Sequence, residues 1–208
     1  MESEEVVIEA AKTDPEAFGR LYDQYYQPVF GFLLGRTRNV EVAKDLASET
    51  FFQALKGIHR YKPQGKPFKS WLFAIAVAQV GNFYRSRSKY LSVTTEEAPE
   101  ILADEQYEAD TAILESEQNE EKKVQLSRLR RVMKQLNQKQ QNILQLRFFS
   151  HLSIAEIAQS LSMKEGTVKS HIHRAIQKLH NLMTAATETK KETQHDYART
   201  AVPARTTT

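Results

Sequence analysis

The chain has 208 residues, 29 Lys/Arg against 26 Asp/Glu, a net charge of +3, and no cysteine, so it can hold one large domain or two small ones and has neither disulfides nor Cys-ligated zinc. No apolar run approaches ~20 residues, and Met1-Glu2-Ser3-Glu4-Glu5 is acidic, so neither a membrane span nor a signal peptide is expected and a reducing, cytoplasmic location fits. With 7 Gly, 6 Pro and helical apolar spacing throughout, the expected class is all-α.

Asp14-Pro15-Glu16 reads as a helix start: an Asp cap, Pro at the first helical position, and an acid on the positive end of the dipole. Phe18, Leu21, Tyr22, Tyr25, Val29, Phe30 and Leu33 follow as its apolar face, with a bend expected near Pro28. A second helix is expected from Asn39, with Val42, Leu46, Thr50 and Ala54 inward and Ala43, Ala47 and Phe51 beside them. Its other face carries Lys44, Asp45, Ser48, Glu49 and Phe52. An outward Phe beside paired acids serves either lateral packing or docking.

The segment from Lys56 to Pro67 is a basic, aromatic-bearing loop, and Phe68 and Trp71 open a third helix that ends in Asn82-Phe83-Tyr84-Arg85-Ser86-Arg87-Ser88-Lys89-Tyr90. No acid occurs between Glu49 and Glu96. Aromatics interleaved with cations suit single-stranded nucleic acid, because a splayed base can stack while its phosphates are neutralised. The same spacing equally places Phe68, Trp71 and Phe83 in a three-helix core, and the two roles can coexist.

Residues 92–121 hold no Lys/Arg and 11 Asp/Glu, a local charge of −11, and read as a flexible acidic linker. Helix resumes at Lys122, with Val124, Leu126, Leu129, Met133 and Leu136 apolar; after Asn137 a further helix brings Ile143, Leu144, Leu146 and Phe148 inward. Residues 122–183 carry 12 Lys/Arg and 2 Asp/Glu. Two basic blocks flanking an acidic strap indicate two nucleic-acid-facing modules. Residues 184–208 show no apolar period and are expected to be a disordered tail.

The most informative stretch runs from Ser153 to Ala175. Ser153 can N-cap a helix, and Glu156 three residues on completes a capping box. Ile154, Ile157, Ala158 and Leu161 form one stripe, and Leu161-Ser162-Met163-Lys164 is only long enough for a turn. From Glu165 a second stripe follows through Val168, Ile172, Ala175, Ile176 and Leu179. The opposite face shows Gly166, Thr167, Ser170, His173, Arg174 and Gln177, small, hydrogen-bonding or cationic groups suited to base edges and phosphates in a major groove. The pattern is a helix-turn-helix whose second helix reads DNA.

Catalysis and metal chemistry find no support. His171 and His173, two residues apart, point to different sides of a helix and cannot chelate one ion together. A Gly-rich phosphate loop, a nucleophile elbow and a pocketed acid pair are all missing from the chain. The expectation is a non-enzyme that needs no cofactor.

Asp14-Pro15-Glu16-Ala17-Phe18, Lys44-Asp45-Leu46-Ala47-Ser48-Glu49-Thr50-Phe51 and Phe68-Lys69-Ser70-Trp71-Leu72-Phe73-Ala74-Ile75-Ala76 resemble region two of bacterial RNA polymerase sigma factors of the extracytoplasmic-function (ECF, group 4) type. Leu136 through Leu179, with Glu165-Gly166-Thr167-Val168-Lys169-Ser170 and His173-Arg174-Ala175, resembles region four. The resemblance implies region two over 10–91, a connector over 92–121, region four over 122–183 and a tail beyond. It implies a sigma factor that binds core RNA polymerase and directs promoter-specific initiation. Asp45, Leu46, Glu49, Phe51 and Phe52 would dock on the polymerase. Arg60, Tyr61, Lys62, Lys66, Phe68, Trp71, Ala78, Asn82, Arg85 and Arg87 would engage the minus-ten element. Lys164, Glu165, Thr167, Lys169, Ser170, His173, Arg174 and Lys178 would engage the minus-thirty-five element. Core polymerase and promoter DNA are the implied partners, with room for an anti-sigma factor.

Departures from the family pattern fall at Val77-Ala78, where Arg-Asn is usual, at Ala74, Asn82 and Ser48, and in the turn. There Ser162 replaces Gly, and Lys164 stands where Ser normally caps, at a cost of about 1 kcal/mol. A stand-alone helix-turn-helix regulator would explain 122–183 but leave the basic-aromatic block idle. A pure protein-interaction adaptor would leave Thr167, Ser170 and Arg174 unexplained.

Overall fold

The structure is a computed structural model that describes the backbone of residues 3–63, 65–94 and 120–200. Among the described residues the fold is all-helical. Helix α1 spans Glu4–Ala10, α2 Pro15–Thr37, α3 Val40–Gly57 and α4 Phe68–Thr94, with a 3-10 turn at Ile58–Arg60. Beyond the acidic segment come α5 Glu120–Met133, α6 Gln138–Leu144 running on as a π-helical turn Gln145–Phe149, α7 Ile154–Ser160 and α8 Glu165–Thr200. Most of the expected linker, residues 95–119, and the last eight residues of the tail lie outside the described residues.

The starts that sequence predicts are made by the expected side chains. Asp14 accepts from the Glu16 amide with Pro15 in the first helical position, and Asn39 accepts from the Val42 amide. Asn137 and Gln140 form one capping box, and Ser153 and Glu156 another. Each cap satisfies amides that have no partner inside the helix and stabilises it by about 1 kcal/mol.

Helix α2 continues unbroken through Pro28. It packs on α3, α3 on α4, and α1 on α2, around a core in which Phe32, Phe68, Phe73, Leu21, Leu33 and Leu72 are fully buried. Burying each of these side chains contributes about 1.5–3 kcal/mol. On α3, Ala43, Ala47, Thr50, Phe51 and Ala54 are buried, while Val42 and Leu46 are half-buried. Helix α1 has no counterpart in the sequence reading. It is held by burial of Ile8 and by the Tyr25 hydroxyl donating to the Glu4 carboxylate, and burial, then that hydrogen bond, pushes the Tyr25 phenol well above its ordinary pKa.

In the C-terminal half, α5, α6 and α7 all pack against α8. Three expectations need correction here. Phe148 does not point inward: it is 53% exposed, and Phe149 beside it 65%. The reason is the π-helical turn, closed by the Ser150 amide donating to the Gln145 carbonyl five residues back, which adds a residue to the turn and rotates both rings outward. Ile176 is exposed rather than in the stripe, because the buried line of α8 runs through Val168, Ile172 and Ala175 and Ile176 falls at its edge. Finally, helix does not stop near Met183 but runs on to Thr200. Ala, Glu and Lys favour helix, and the segment has no Gly or Pro before Pro203.

Candidate nucleic-acid interface

The helix-turn-helix is built as its residues dictate. Helix α7 ends in a Schellman arrangement: the Met163 amide donates to the Ala158 carbonyl at 2.8 Å and the Ser162 amide to the Gln159 carbonyl at 3.3 Å. That closure puts Ser162 at φ 52°, in the left-handed region, where glycine is the unstrained choice. The lost capping hydroxyl at Lys164 is not replaced by another side chain. The Lys164 carbonyl instead accepts from the Thr167 and Val168 amides, at 2.9 and 3.1 Å.

Val168 and Ala175 are fully buried, which fixes the rotation of α8 and turns Gly166, Thr167, Ser170, His173, Arg174 and Gln177 to solvent. The Ser170 hydroxyl donates to the Gly166 carbonyl at 2.9 Å, and Arg174 Nε donates to the Ser170 carbonyl at 3.2 Å. The remaining Arg174 nitrogens stay available in a fork suited to two acceptors on a guanine edge. Lys164, Glu165 and Lys169 are also exposed. Lys178 differs, because its ammonium donates to the Gln135 carbonyl at 2.7 Å, which ties α8 to the end of α5. Burial, then the Arg174 and Lys139 cations, pushes the half-buried His171 imidazole below its ordinary pKa.

The second basic surface is built differently. Tyr61 is 6% exposed and Phe68 1%, and their rings meet edge to face at 5.6 Å. Trp71 lies 5.0 Å from Tyr61 and 5.4 Å from Phe68 between ring centroids. The Tyr61 hydroxyl donates to the Lys66 carbonyl at 2.6 Å, closing the loop that holds Lys62 and Lys66. A Cβ on Gly57 would come within 3.0 Å of the Trp71 indole, so this glycine is what lets the ring lie against α3. Of the ten residues expected to engage the minus-ten element, Tyr61 and Phe68 therefore offer no free ring face and act as support. Trp71 is half-buried, while Arg60, Lys62, Lys66, Ala78, Asn82, Arg85 and Arg87 are exposed. Arg85 donates to the Asn82 side chain one helical turn away.

On α3, Asp45 is exposed, Leu46 and Glu49 are half-buried, and Phe52 is 49% exposed with the Lys56 ammonium 4.2 Å from its ring centroid. Phe51 faces the other way and is buried, its ring 4.7 Å from that of the more exposed Tyr22, so its docking role reduces to holding the helix in place. The exposed Phe148, expected to point inward, and Phe149 form a further apolar patch; a π-helical turn leaves no simple periodic signal to find it by. Among the described residues no helix is long and apolar enough to cross a membrane.

Comparison with known proteins places both halves. Residues 21–90 match the sigma-70 region 2 family and residues 126–179 the sigma-70 region 4 family. The ECF RNA polymerase sigma factor BldN of Streptomyces coelicolor is 36% identical over 179 residues, 86% of this chain and 65% of BldN. The RNA polymerase sigma factor YlaC of Bacillus subtilis is 34% identical over 171 residues, 82% of this chain and 94% of YlaC. Two solved structures share the fold at 19% identity. CnrH in complex with the cytosolic domain of CnrY has a TM-score of 0.62, covering 86% of this chain and 96% of CnrH. RpoE in complex with the anti-sigma factor NepR, from Bartonella quintana, has a TM-score of 0.59, covering 80% and 96%. A stand-alone helix-turn-helix regulator would leave the match over 21–90 without a purpose. The chain belongs to the sigma-70 family, as an RNA polymerase sigma factor of the extracytoplasmic-function type, a transcription-initiation factor and not an enzyme.

Proposed function

We propose that this chain docks on core RNA polymerase through the outer face of α3 and carries promoter recognition on two separate surfaces. The observation that carries the proposal is that both kinds of surface are exposed in one chain: Asp45 and Phe52 on α3, and Thr167, Ser170, His173 and Arg174 on α8. Asp45, Glu49 and Phe52 present two carboxylates and an aromatic ring to a basic, apolar polymerase surface. Arg60, Lys62, Lys66, Arg85 and Arg87 neutralise phosphates of the minus-ten strand, and the half-buried Trp71 is the stacking group for a flipped base. Thr167, Ser170 and Arg174 read the upstream element, while Lys164 and Lys169 hold its phosphates. Phe148 and Phe149 offer region four an apolar contact to the polymerase flap. The connector, with its charge of −11, occupies a polymerase channel built for nucleic acid. The working location is the cytoplasm, and an anti-sigma factor, as NepR is for RpoE, is a further expected partner.

The test is co-purification with core polymerase and run-off transcription on a promoter library. The wild-type chain is expected to form a stable holoenzyme and to direct transcription from a defined subset of promoters. The triple variant Asp45→Ala, Glu49→Ala, Phe52→Ala is expected to keep its helicity and lose core binding. Co-elution of that variant at wild-type affinity would show that the docking face lies elsewhere.

A further inference from the structure

Helix α1 precedes the segment, residues 21–90, that matches region 2. Its seven residues are too few to hold a helix in water by themselves, so its contacts decide its place. Within it Ile8 is buried, while Val6, Glu5 and Glu9 face solvent. Glu4 is different. It is half-buried, and its carboxylate accepts from the Tyr25 hydroxyl of α2.

From that hydrogen bond a line of rings runs to the minus-ten surface. The Tyr25 ring lies 5.6 Å from that of Phe68, and Phe68 lies 5.4 Å from Trp71 and 5.6 Å from Tyr61. The Tyr61 hydroxyl in turn closes the loop that carries Lys62 and Lys66. On its remaining side the Trp71 indole abuts α3 at Gly57, where even a Cβ would be 3.0 Å away. The place of Trp71 therefore depends on Phe68, and that of Phe68 on Tyr25. A ring that is to stack on a base gains from being held beforehand, because its ordering is not a cost of binding.

What keeps Tyr25 in place is the partner of its hydroxyl. The residue is 7% exposed, and a buried hydroxyl that loses its partner is far more costly than a plain phenyl ring of the same shape. Without Glu4 the phenol is driven to turn toward water, and its ring leaves the side of Phe68. Resting on the reading of Trp71 as the strand-stacking group, we infer that Glu4 and Tyr25 are positioning residues for capture of the minus-ten strand: the α1 clasp holds Tyr25 against Phe68, and through Phe68 it sets where Trp71 stands. Neither residue touches DNA in this arrangement. A helix that merely covered apolar surface through Ile8 would not make the Tyr25 hydroxyl decisive.

Trp71 is the one tryptophan of the chain, so its fluorescence reports on the ring itself. Acrylamide quenching is read on the full-length free chain. Strand capture is read with holoenzyme on two fragments of a promoter that the wild-type chain selects: a duplex ending upstream of the minus-ten element, and the same duplex extended by single-stranded minus-ten DNA. Glu4→Ala is expected to raise quenching and to weaken binding of the extended fragment about 3- to 10-fold, part of what one stacked base is worth. Binding of the plain duplex, core affinity and helicity are expected to stay at wild-type values. Glu4→Gln keeps an acceptor for the hydroxyl and is expected to behave as wild type. Adding Tyr25→Phe to Glu4→Ala removes the stranded hydroxyl and is expected to restore both readouts, which loss of α1 packing alone would not do. Glu9→Ala, on the same helix but paired with Lys12, is the control and is expected to change neither. Unaltered quenching and strand binding in Glu4→Ala, a double variant as defective as the single one, or a Glu9→Ala equally defective would each overturn the inference. If the wild-type holoenzyme gains nothing from the added strand, the stacking role of Trp71 fails, and the quenching series still decides whether α1 sets the ring.

Discussion

The two nucleic-acid surfaces divide labour in opposite ways. On α8 the residues that fold the module and those proposed to read DNA occupy opposite sides: Val168 and Ala175 are buried, while Thr167, Ser170 and Arg174 are exposed. In the N-terminal module the aromatic residues that mark a candidate strand-binding surface are themselves the core, with Tyr61 and Phe68 enclosed and only Trp71 half-open. A reading face can therefore change without cost to the fold in region four. In region two, the aromatic support and the cations it carries change together. The lesson is about separability, and it can be measured.

The largest effect should come from Phe68→Ala. Removing a fully buried ring that touches Tyr25, Tyr61 and Trp71 should destabilise the chain by about 3–5 kcal/mol, read as a fall in the urea midpoint. Loss of strand binding without loss of stability would break the contrast, because Phe68 would then be a reading residue after all.

Arg174→Ala should do the reverse. It should leave stability within about 0.5 kcal/mol, as expected of an exposed position, and weaken binding by roughly 1–3 kcal/mol at one or two promoter positions only. Binding across single-base promoter variants at two salt concentrations checks this. A uniform loss at every position would demote Arg174 to a backbone contact. Lys169→Ala is the companion variant: it should weaken all sequences alike and lower the salt slope by about one unit.

The smallest expected effect sharpens the comparison within the helix-turn-helix itself. Ser162→Gly relieves a left-handed residue at φ 52° and should stabilise the chain by about 1 kcal/mol. It should leave base preference unchanged, since Ser162 lies in the turn and not on the reading face. Thermal denaturation and the same promoter series measure both halves of that statement.

What was legible in the sequence follows the range of the forces involved. Asp14, Asn39, Ser153 and Glu156 act on amides two or three residues away, so residue type and spacing suffice to place the helix starts. The exposed face of α8 was legible because one stripe of apolar residues, Val168, Ile172 and Ala175, determines its opposite. The packing of the π-helical turn on α2 was not, because Gly35 and Gln145, which meet there, are 110 residues apart and nothing local marks either as a contact. Phe148 was misplaced for a local reason, since a single π-helical turn breaks the period on which the reading relied. Phe68 was ambiguous, and Tyr61 was read only as a binding residue, because a ring that stacks on a base and a ring that fills a core look alike in sequence. Helix α1 was missed because its docking depends on Tyr25, a helix away.

Helix α8 runs without interruption from Glu165 to Thr200, 36 residues, which at ~1.5 Å per residue makes a rod about 54 Å long. Its first turns carry the proposed reading face, and its last turns run past Met183, the expected end of the module. On the proposed reading, the rod is a lever with its short arm on DNA. A tilt of about 10° where it meets the duplex sweeps the far end through about 9 Å over that length. A partner that grips the distal end could steer the angle of entry with small forces, without touching a single base-reading residue.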